Sequence, residues 1–313
     1  MKKRMRFVWW VIALPIVALA SIVPFAFPFL AITEPSGAQV LVVERWMDPG
    51  AMQEAAKLAV DSGYGQIYTT GSVRPFAYLM GYGDGIDIVM HDSAQGPIEL
   101  EVVGNAGAGF LLMAGGDTLL NAAVALDPRM FTVQCKRPVV QFRFAAWEKP
   151  GAPGPALFIR SFTVGGMNVN YLQSSSRFTH PGSLPTEAWP TYAHSARSEL
   201  IGMGLPPDRV TAVPAYGKPH SRSWGNAHAF GELARRDGIT AFDVATSGVH
   251  ARRSRNLFRQ ACGPGVMVGV IALEDPYCTR QNWWKSFRGW FTLLKEIVGA
   301  PEAEAVEIKR LAR

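Results

Sequence analysis

The apolar residues of this chain follow two different periodicities in two different regions. Near the start and in the second half, short continuous apolar runs alternate with stretches of helical periodicity, which is typical of parallel strands covered by helices on both faces. The runs are Ala38–Val43, Gln66–Thr70, Arg209–Pro214, Ile239–Val244 and Val266–Leu273, and the helical stretches are Asp48–Val60, Thr191–Met203, Trp224–Arg236, Ser254–Ala261 and Trp283–Val298. Asp48, directly before Pro49, is predicted to cap the first helix.

The middle of the chain has no helical periodicity between residues 98 and 169. It contains short alternating segments separated by Gly and Pro turns, as expected for a small β-sandwich. These segments are Ile98–Val103, Met130–Cys135, Val139–Phe144 and Leu157–Val164. The sequence therefore predicts an α/β fold: a Rossmann-like, mostly parallel sheet with helices on both faces, interrupted by an inserted β-sandwich. We place the α/β domain at 34–92 and 185–300, the sandwich at 93–172, a linker at 173–184 and a charged tail at 301–313.

The N-terminal segment predicts a membrane-spanning helix. Residues Phe7 to Ile32 carry no charge and are long enough to span a bilayer. The positive-inside rule places the N-terminus in the cytoplasm because basic residues precede this stretch, namely Lys2, Lys3, Arg4 and Arg6. Two interpretations remain open: an uncleaved single-pass anchor at residues 1–33, which we favour because the apolar stretch continues to Ile32, and a signal peptide cleaved near Ala18-Leu19-Ala20. Both place the folded part on the periplasmic side of the inner membrane.

The composition agrees with a folded, exported protein. Hydrophobic residues make up 48% and charged residues 18% of the 313 residues, which is sufficient for a sizeable core. The formal net charge of +6 arises partly from the N-terminal cluster, and no dense basic stripe with a reading element indicates a nucleic-acid partner. The three cysteines, Cys135, Cys262 and Cys278, form no Cys-x-x-Cys or Cys/His cluster. Two interpretations remain open: a Cys262–Cys278 disulfide that leaves Cys135 free, and three buried free thiols, which we favour. We expect no metal and no other cofactor.

The segment Ala245–Ser254 is the most informative stretch for function. It carries hydroxyls, one imidazole and two guanidinium groups where a buried strand ends and a helix begins. In open α/β sheets ligands bind at this carboxyl edge, and the free N–H groups of a helix start favour an anion. We expect the turns Glu44–Asp48 and Ser221–Asn226 to converge at the same edge.

Together these turns are expected to form a positively charged hollow for a phosphate or pyrophosphate. His250 is the candidate acid–base group and Glu44 its carboxylate counterpart. Two further interpretations stay open: Glu44 in an ion pair with Arg253 or Arg45, and His250 as a structural imidazole. The expected ligand-binding residues supply donors and charge around the hollow: Thr70, Gly71, Ser72, Lys218, Ser221, Ser223, Asn226, Thr246, Ser247, Arg252 and Arg253.

The two α/β pieces, residues 38–72 and 191–298, carry motifs of known type. Thr246-Ser247-x-x-His250-x-x-Arg253, with Gly204-Leu205-Pro206 and Ser223-Trp224-Gly225-Asn226, resembles the YdcF/SanA/ElyC-like family of bacterial envelope proteins. The resemblance implies the α/β fold and a role in the envelope. The first strand departs from the family pattern, because Val42-Val43-Glu44-x-Trp46 has an acidic residue where many relatives have a glycine-rich turn. This departure argues against a backbone phosphate cradle there.

The middle segment is similar to small calcium-dependent, xylan-binding carbohydrate modules. The similarity rests on Ile98-x-Leu100-x-Val102-x-Gly104, Val139-x-x-Phe142-Arg143-Phe144 and Leu157-x-Ile159-x-x-Phe162-Thr163-Val164-Gly165-Gly166. Ala145-Ala146-Trp147 and Gly154-Pro155-Ala156 stand where such modules carry acidic calcium ligands, and Asp117 and Glu148 alone would not hold the ion. The resemblance implies a sandwich without calcium, and Trp147 is the candidate sugar-binding residue.

Aromatic residues recur at helical spacing in the last helical stretch. We expect them to pack in the core, whereas exposure would favour a sugar-stacking platform. The residues are Trp283, Trp284, Phe287, Trp290 and Phe291.

These features predict a membrane-anchored envelope protein of cell-wall or exopolysaccharide biogenesis. Its α/β site is expected to bind a phosphorylated or lipid-linked saccharide and to hydrolyse or transfer the phosphate. The alternative is a non-catalytic scaffold of a polysaccharide secretion or assembly system that holds a nucleotide-like ligand or a glycan. A third hypothesis treats the sandwich as a protein-interaction module.

Overall fold

The computed structural model describes residues 25–147, 154–216 and 221–298. The chain divides into two compact units, Met1–Gly71 with Ala196–Arg313 and Ser72–Ser195, which we call the α/β unit and the β unit. In chain order the elements are α1 (residues 25–30), β1 (Val40–Glu44), α2 (Pro49–Asp61), β2 (Gln66–Ser72), β3 (Tyr78–Gly81), β4 (Gly85–Gly104), β5 (Gly109–Ala114), β6 (Asp117–Ala123), β7 (Arg129–Ala146), β8 (Pro155–Val164), β9 (Met167–Asn168), β10 (Gln173–Thr179), β11 (Thr186–Glu187), α3 (Tyr192–Gly202), β12 (Val210–Ala215), α4 (Arg222–Asp237), β13 (Ala241–Ser247), α5 (Ala251–Cys262), β14 (Met267–Leu273) and α6 (residues 287–298).

The α/β unit is built on a five-stranded sheet with the strand order β12-β2-β1-β13-β14. Strands β2, β1, β13 and β14 pair in parallel, and all five predicted apolar runs are strands of this sheet. If these five strands are numbered 1 to 5 by their order in the chain, their order across the sheet is 3-2-1-4-5. The connections therefore change direction between β1 and β13, and in open parallel sheets the crevice at the carboxyl ends of such a strand pair is where ligands bind.

Helices cover both faces of this sheet. On β1, Leu41 and Val43 pack with residues of α2 and α3, whereas Val42 packs with residues of α4 and α5. The near-continuous apolar strands predicted this two-sided burial, and it is confirmed. The predicted cap of α2 is also confirmed, because the Asp48 carboxylate accepts a hydrogen bond of 2.8 Å from the Gly50 N–H.

The segment before β1 is held against the α/β unit. Ala26 and Leu30 of α1 are buried with Trp283 and Leu293, and Glu34 forms a bridge with Val270 at the edge of the sheet. Most of the predicted membrane-spanning stretch, residues 7–24, lies outside the described residues. Among the described helices, none has the length and the apolar character needed to cross a membrane.

The β unit is an antiparallel sheet built around two long strands. Strand β4 has 20 residues and β7 has 18, and they pair with each other along most of their length. The first part of β4 also pairs with β10, and its second part pairs with β8. Both predicted segments Met130–Cys135 and Val139–Phe144 lie on β7. Because each long strand changes its neighbours, the sheet encloses a core rich in phenylalanine.

The linker predicted at 173–184 is wrong for its first part. Gln173–Thr179 is strand β10, which pairs with β4 between Gly85 and Met90. Its inward positions include Gln173 and Ser176, which are buried, so the strand carries no apolar alternation that sequence analysis could detect. The β unit therefore begins before, and ends after, the predicted sandwich of residues 93–172.

The last predicted helix is two elements rather than one. Trp283–Lys285 forms a 3₁₀ turn, and α6 starts only after Ser286, whose hydroxyl accepts a 3.0 Å hydrogen bond from the Gly289 N–H as a helix cap. Of the aromatic residues predicted to be core, Trp283 is buried and Trp290 is half-buried. Trp284, Phe287 and Phe291 are exposed, and for these three the prediction is wrong.

Candidate functional site

Glu44 ends β1 at the carboxyl edge of the parallel sheet and is completely buried. Its Oε2 accepts a 2.6 Å hydrogen bond from the Ser254 hydroxyl in the first turn of α5, and its Oε1 has no hydrogen-bond partner among the described residues. Burial raises the pKa of Glu44, and the hydrogen bond from Ser254 offsets this only in part. The site therefore favours a neutral carboxyl group at this position.

Other buried polar groups surround the same edge. Thr70 is the neighbour of Glu44 on β2, and Thr246 near the end of β13 has its hydroxyl 3.5 Å from that of Ser254. Among the described residues, neither the Thr70 hydroxyl nor the Asn226 Oδ1 has a partner, although both side chains are buried. Buried polar atoms without partners are rare in folded proteins. They are available here to a ligand or to water.

His250 ends the 3₁₀ turn Gly248–His250, which connects β13 to α5. Its Nδ1 lies 2.8 Å from the Oε1 of Glu296, a fully buried residue of α6, and the Arg253 guanidinium lies 3.5 Å from the same oxygen. Burial alone would raise the pKa of Glu296. The hydrogen bond from His250 and the charge of Arg253 outweigh burial and hold that pKa below its ordinary value.

This arrangement orients the imidazole. Because Glu296 is a carboxylate, the His250 Nδ1 carries the hydrogen and donates it, which leaves Nε2 for another group. The Trp46 ring meets the imidazole edge to face, with ring centroids 4.1 Å apart. Trp46 is 39% exposed and the His250 side chain 17%, so the accessible part of the site is beside these two rings.

The expected pairing of His250 with Glu44 is not what the structure shows, because the imidazole binds Glu296 instead. The alternative ion pairs of Glu44 are also absent from the described residues, because Arg45 pairs with Glu199 at 2.8 Å and Arg253 with Glu296. Glu199 is on α3 and Glu296 is on α6, and the sequence does not reveal how these helices pack.

The expected positive hollow is not assembled from the predicted arginines. The Arg252 Nε donates a 2.5 Å hydrogen bond to the Phe29 carbonyl, and its guanidinium lies 4.0 Å from the Phe29 ring centroid. Arg253 is shared with Glu296. Lys218 lies outside the described residues. The guanidinium groups of Arg252 and Arg253 thus have partners within the fold.

The remaining predicted ligand residues occupy several positions. Thr246 and Ser247 are buried at the end of β13. Gly71 and Ser72 end β2, and Ser72 belongs to the β unit. Ser221 caps α4 by accepting a 3.2 Å hydrogen bond from the Trp224 N–H. Ser223 is half-buried in the first turn of that helix.

Trp147, the candidate sugar-binding residue, is in the β unit at the end of β7. A Cβ at Gly109 would lie 2.7 Å from its indole, so the ring covers the Gly109 backbone, and its Nε1 donates a 3.1 Å hydrogen bond to Asn121. Ala145 and Ala146, where the expected resemblance would place calcium ligands, pair with β5 and have no side-chain oxygen. These positions do not fit calcium.

Three residues of this site were not among the predicted site residues: Trp46, Ser254 and Glu296. Trp46 and Ser254 nevertheless lie in the two stretches that the sequence singled out, Glu44–Asp48 and Ala245–Ser254. Ser254 looked like an ordinary helix start. Glu296 adjoins Lys295 and reads as part of a solvated pair, and its only signal is that it falls on the buried side of α6 with Gly289 and Leu293. Comparison of the chain with protein-family models, with curated proteins and with solved structures finds no match.

Proposed function

We propose that this protein is a membrane-anchored envelope protein with a Rossmann-like module and an inserted β-sandwich. The α/β site binds a phosphorylated or lipid-linked saccharide, and His250 acts as a general acid–base in hydrolysis or transfer of the phosphate. The charge-free N-terminal segment supports the anchor, and the motif resemblance supports the role in the envelope.

The observation that carries the proposal is the His250–Glu296 pair. His250 follows β13, and the strand connections change direction between β1 and β13. A buried carboxylate on Nδ1 fixes the imidazole and leaves Nε2 to carry a proton to or from a reacting oxygen. Hydrolysis would form a bond between phosphorus and a water oxygen and break the bond to the saccharide or lipid oxygen, which takes up the proton.

Three features support an anionic ligand beside this pair. The start of α5 follows His250 directly, and helix N-termini attract anions. The raised pKa of Glu44 favours its neutral form, so this carboxyl would repel a phosphate less than an ordinary carboxylate does. The unpartnered hydroxyl of Thr70 supplies a further hydrogen-bond donor.

A non-catalytic binding protein is the second candidate. It is favoured by the internal use of Arg252 and Arg253, whose guanidinium groups are bonded to the Phe29 carbonyl and to Glu296. Phosphoryl transfer usually relies on such groups to stabilise developing charge. A scaffold that only holds its ligand has no such requirement.

The two candidates differ in the effect of a His250→Gln substitution on the full-length protein. Phosphate release from glucose 1-phosphate and from undecaprenyl phosphate is measured by phosphorus NMR, and binding of both probes by thermal shift. We expect His250→Gln to lower release by about 10²- to 10⁴-fold, the usual contribution of an acid–base group, while the thermal shifts persist.

The matched control is His228→Gln. His228 lies exposed on α4 and has its own carboxylate at 3.8 Å, that of Glu232. The His228→Gln variant should release phosphate at the wild-type rate. Thermal shifts with no release by the wild type would support the scaffold. If neither probe shifts the melting temperature, or if His250→Gln is as active as the wild type, the proposed site is wrong.

A further inference from the structure

Helix α6 carries an exposed apolar stripe on the side opposite Glu296. Phe287, Phe291, Leu294 and Val298 are 86%, 60%, 51% and 73% exposed. Their spacing of four, three and four residues places them in one line along a helix. Gly289, Leu293 and Glu296 lie on the other side and are buried. We call the four exposed residues the α6 stripe.

The stripe is next to a second exposed apolar group. In α1, Phe25 and Phe29 are exposed, whereas Leu30 is buried in a common cluster with Leu293 of α6. The sequence that directly precedes Phe25, from residue 7 onward, contains no charge. Two helices that pack together thus both present large apolar side chains to the surroundings, and one of them continues the apolar N-terminal segment.

Basic and aromatic side chains border the stripe. Arg288 and Lys295 project from the same flank of α6 by their spacing, and Lys285 lies in the preceding turn. The Lys285 ammonium is 5.7 Å from the exposed Trp284 ring, and the Arg288 guanidinium is 3.7 Å from the exposed Tyr277 ring. An apolar stripe with cations and interfacial aromatic residues beside it is the pattern of helices that lie in a membrane surface.

We propose that the α6 stripe lies in the boundary between headgroups and acyl chains of an anionic bilayer. Lipid phosphates would bind Arg288, Lys295 and Lys285. A sugar platform is disfavoured because Leu294 and Val298 offer no flat ring for a pyranose. The continuity with the N-terminal apolar segment favours lipid over a second copy of the chain.

This contact has a consequence for the substrate, which rests on the proposed function. The two sides of α6 hold different partners: lipid on the stripe and the His250–Glu296 pair on the buried side. A helix is about 10–12 Å across. About one helix diameter would therefore separate the lipid contact from the imidazole, which favours a phosphate attached to a membrane lipid as the substrate class.

The lipid contact is tested with a nitroxide at Phe291→Cys in the full-length protein, reconstituted in vesicles of phosphatidylcholine and phosphatidylglycerol. The native cysteines are free but buried, which favours labelling of the introduced one. The control is Val60→Cys on α2, where valine is 65% exposed. Power saturation compares accessibility to oxygen, which concentrates in lipid, with accessibility to a water-soluble nickel chelate.

We expect oxygen to dominate at position 291 and the nickel chelate at position 60. Dominance of the chelate at 291 would mean that the stripe faces water, and exclusion of both reagents would mean that protein covers it. Either result overturns the proposal. Equal ratios of oxygen accessibility to chelate accessibility at positions 291 and 60 would also overturn the proposal.

The substrate class needs a second measurement. The double variant Phe291→Ser/Leu294→Ser changes only exposed side chains, and we expect it to weaken binding of undecaprenyl phosphate about tenfold while leaving that of glucose 1-phosphate unchanged. If position 291 lies in lipid but undecaprenyl phosphate binds both proteins equally, the membrane contact stands and the lipid-linked substrate is wrong. Loss of both ligands would also contradict this substrate class.

Discussion

Glu44 and Glu296 show how two buried carboxyl groups in one site acquire opposite tendencies. Burial raises the pKa of Glu44, and the hydroxyl groups of Ser254 and Thr246, the His250 imidazole and the Trp46 indole oppose this only in part. Glu296 is buried as well, but an imidazole and a guanidinium bind the same oxygen and lower its pKa. Desolvation dominates at the first residue and charge pairing at the second.

This difference predicts opposite pH dependences of stability for two variants. A carboxyl group with a raised pKa contributes stability below its ordinary value of 4.5 and loses it as the pH rises through the raised value. We therefore expect Glu44→Gln to be more stable than the wild type at pH 7, by about 1–3 kcal/mol, with the difference vanishing in acid.

The pH dependence of stability has the opposite sign for Glu296. A carboxyl group with a lowered pKa contributes stability above pH 4.5, and this stability is lost as the pH falls through the lowered value. Glu296→Gln should be less stable than the wild type at pH 7 by about 1–3 kcal/mol, and the difference should shrink in acid. Urea unfolding of both variants at a series of pH values measures these differences. Parallel pH profiles for the two variants would contradict the assigned pKa directions.

At the residue scale, the sequence predicted the histidine but not its partner. The Thr-Ser-x-x-His-x-x-Arg spacing predicted that His250 lies between a strand end and a helix start, because that is a local pattern. The partner Glu296 is on α6, far along the chain. Its role depends on how α6 packs, which no local spacing encodes.

At the scale of elements, the contact between α4 and α5 depends on one glycine. A Cβ on Gly231 would lie 2.7 Å from the carbonyl oxygen and 2.9 Å from the carbonyl carbon of Ala261. The same carbonyl oxygen accepts a 2.7 Å hydrogen bond from Arg235, so it is fixed in position. The close approach of the two helices needs a residue without a side chain at 231.

We predict that Gly231→Ala destabilises the protein by about 1–3 kcal/mol, because the added methyl overpacks the contact. In an open helix the same change stabilises by up to about 1 kcal/mol. Gly202, at the end of α3, has nothing within 4 Å of an added Cβ and provides the matched control. Chemical unfolding of both variants measures the difference. A neutral or stabilising effect at 231 would contradict the described helix contact.

The elements of the α/β unit could be predicted because each strand is covered on both faces and reads as a continuous apolar run. Strand β10 could not, because hydrogen bonds within the β unit satisfy its buried Gln173 and Ser176 side chains at least in part. Polar residues that are buried and bonded look like a loop in a hydropathy pattern. The division of the last helix at Ser286 was missed because a helix cap inside an aromatic run resembles a surface serine.

At the scale of the whole molecule, the two units have separate cores. Phe110, Phe142 and Phe162 belong to the core of the β unit, whereas Phe230 and Phe242 belong to that of the α/β unit. No buried residue is shared between these clusters among the described residues. Separate cores favour separate cooperative unfolding.

We therefore predict two calorimetric transitions that respond independently. Phe142→Ala should lower one transition and Phe230→Ala the other, each through a loss of about 3–5 kcal/mol in its own unit. Both phenylalanines are completely buried, so each variant is the control for the other. A single transition lowered by both substitutions would show that the units unfold together.

The division into a parallel and an antiparallel part was visible in the sequence because the two sheets impose different apolar periods. The order of the strands was not, since pairing across the inserted β unit brings β1 beside β13. Thr246 at the end of β13 and Glu44 at the end of β1 lie at the same edge only because these two strands pair.

The short path from α1 to β1 determines how the α/β unit responds to a pull on its N-terminal side. Leu30 is packed, Glu34 bonds to the sheet edge at Val270, and the Ser36 N–H donates a 2.6 Å hydrogen bond to Asp243 in the sheet interior. This path contains no slack spacer. Tension applied to α1 would therefore be transmitted to Val270 in β14 and to Asp243 in β13 and would not be absorbed by the connection.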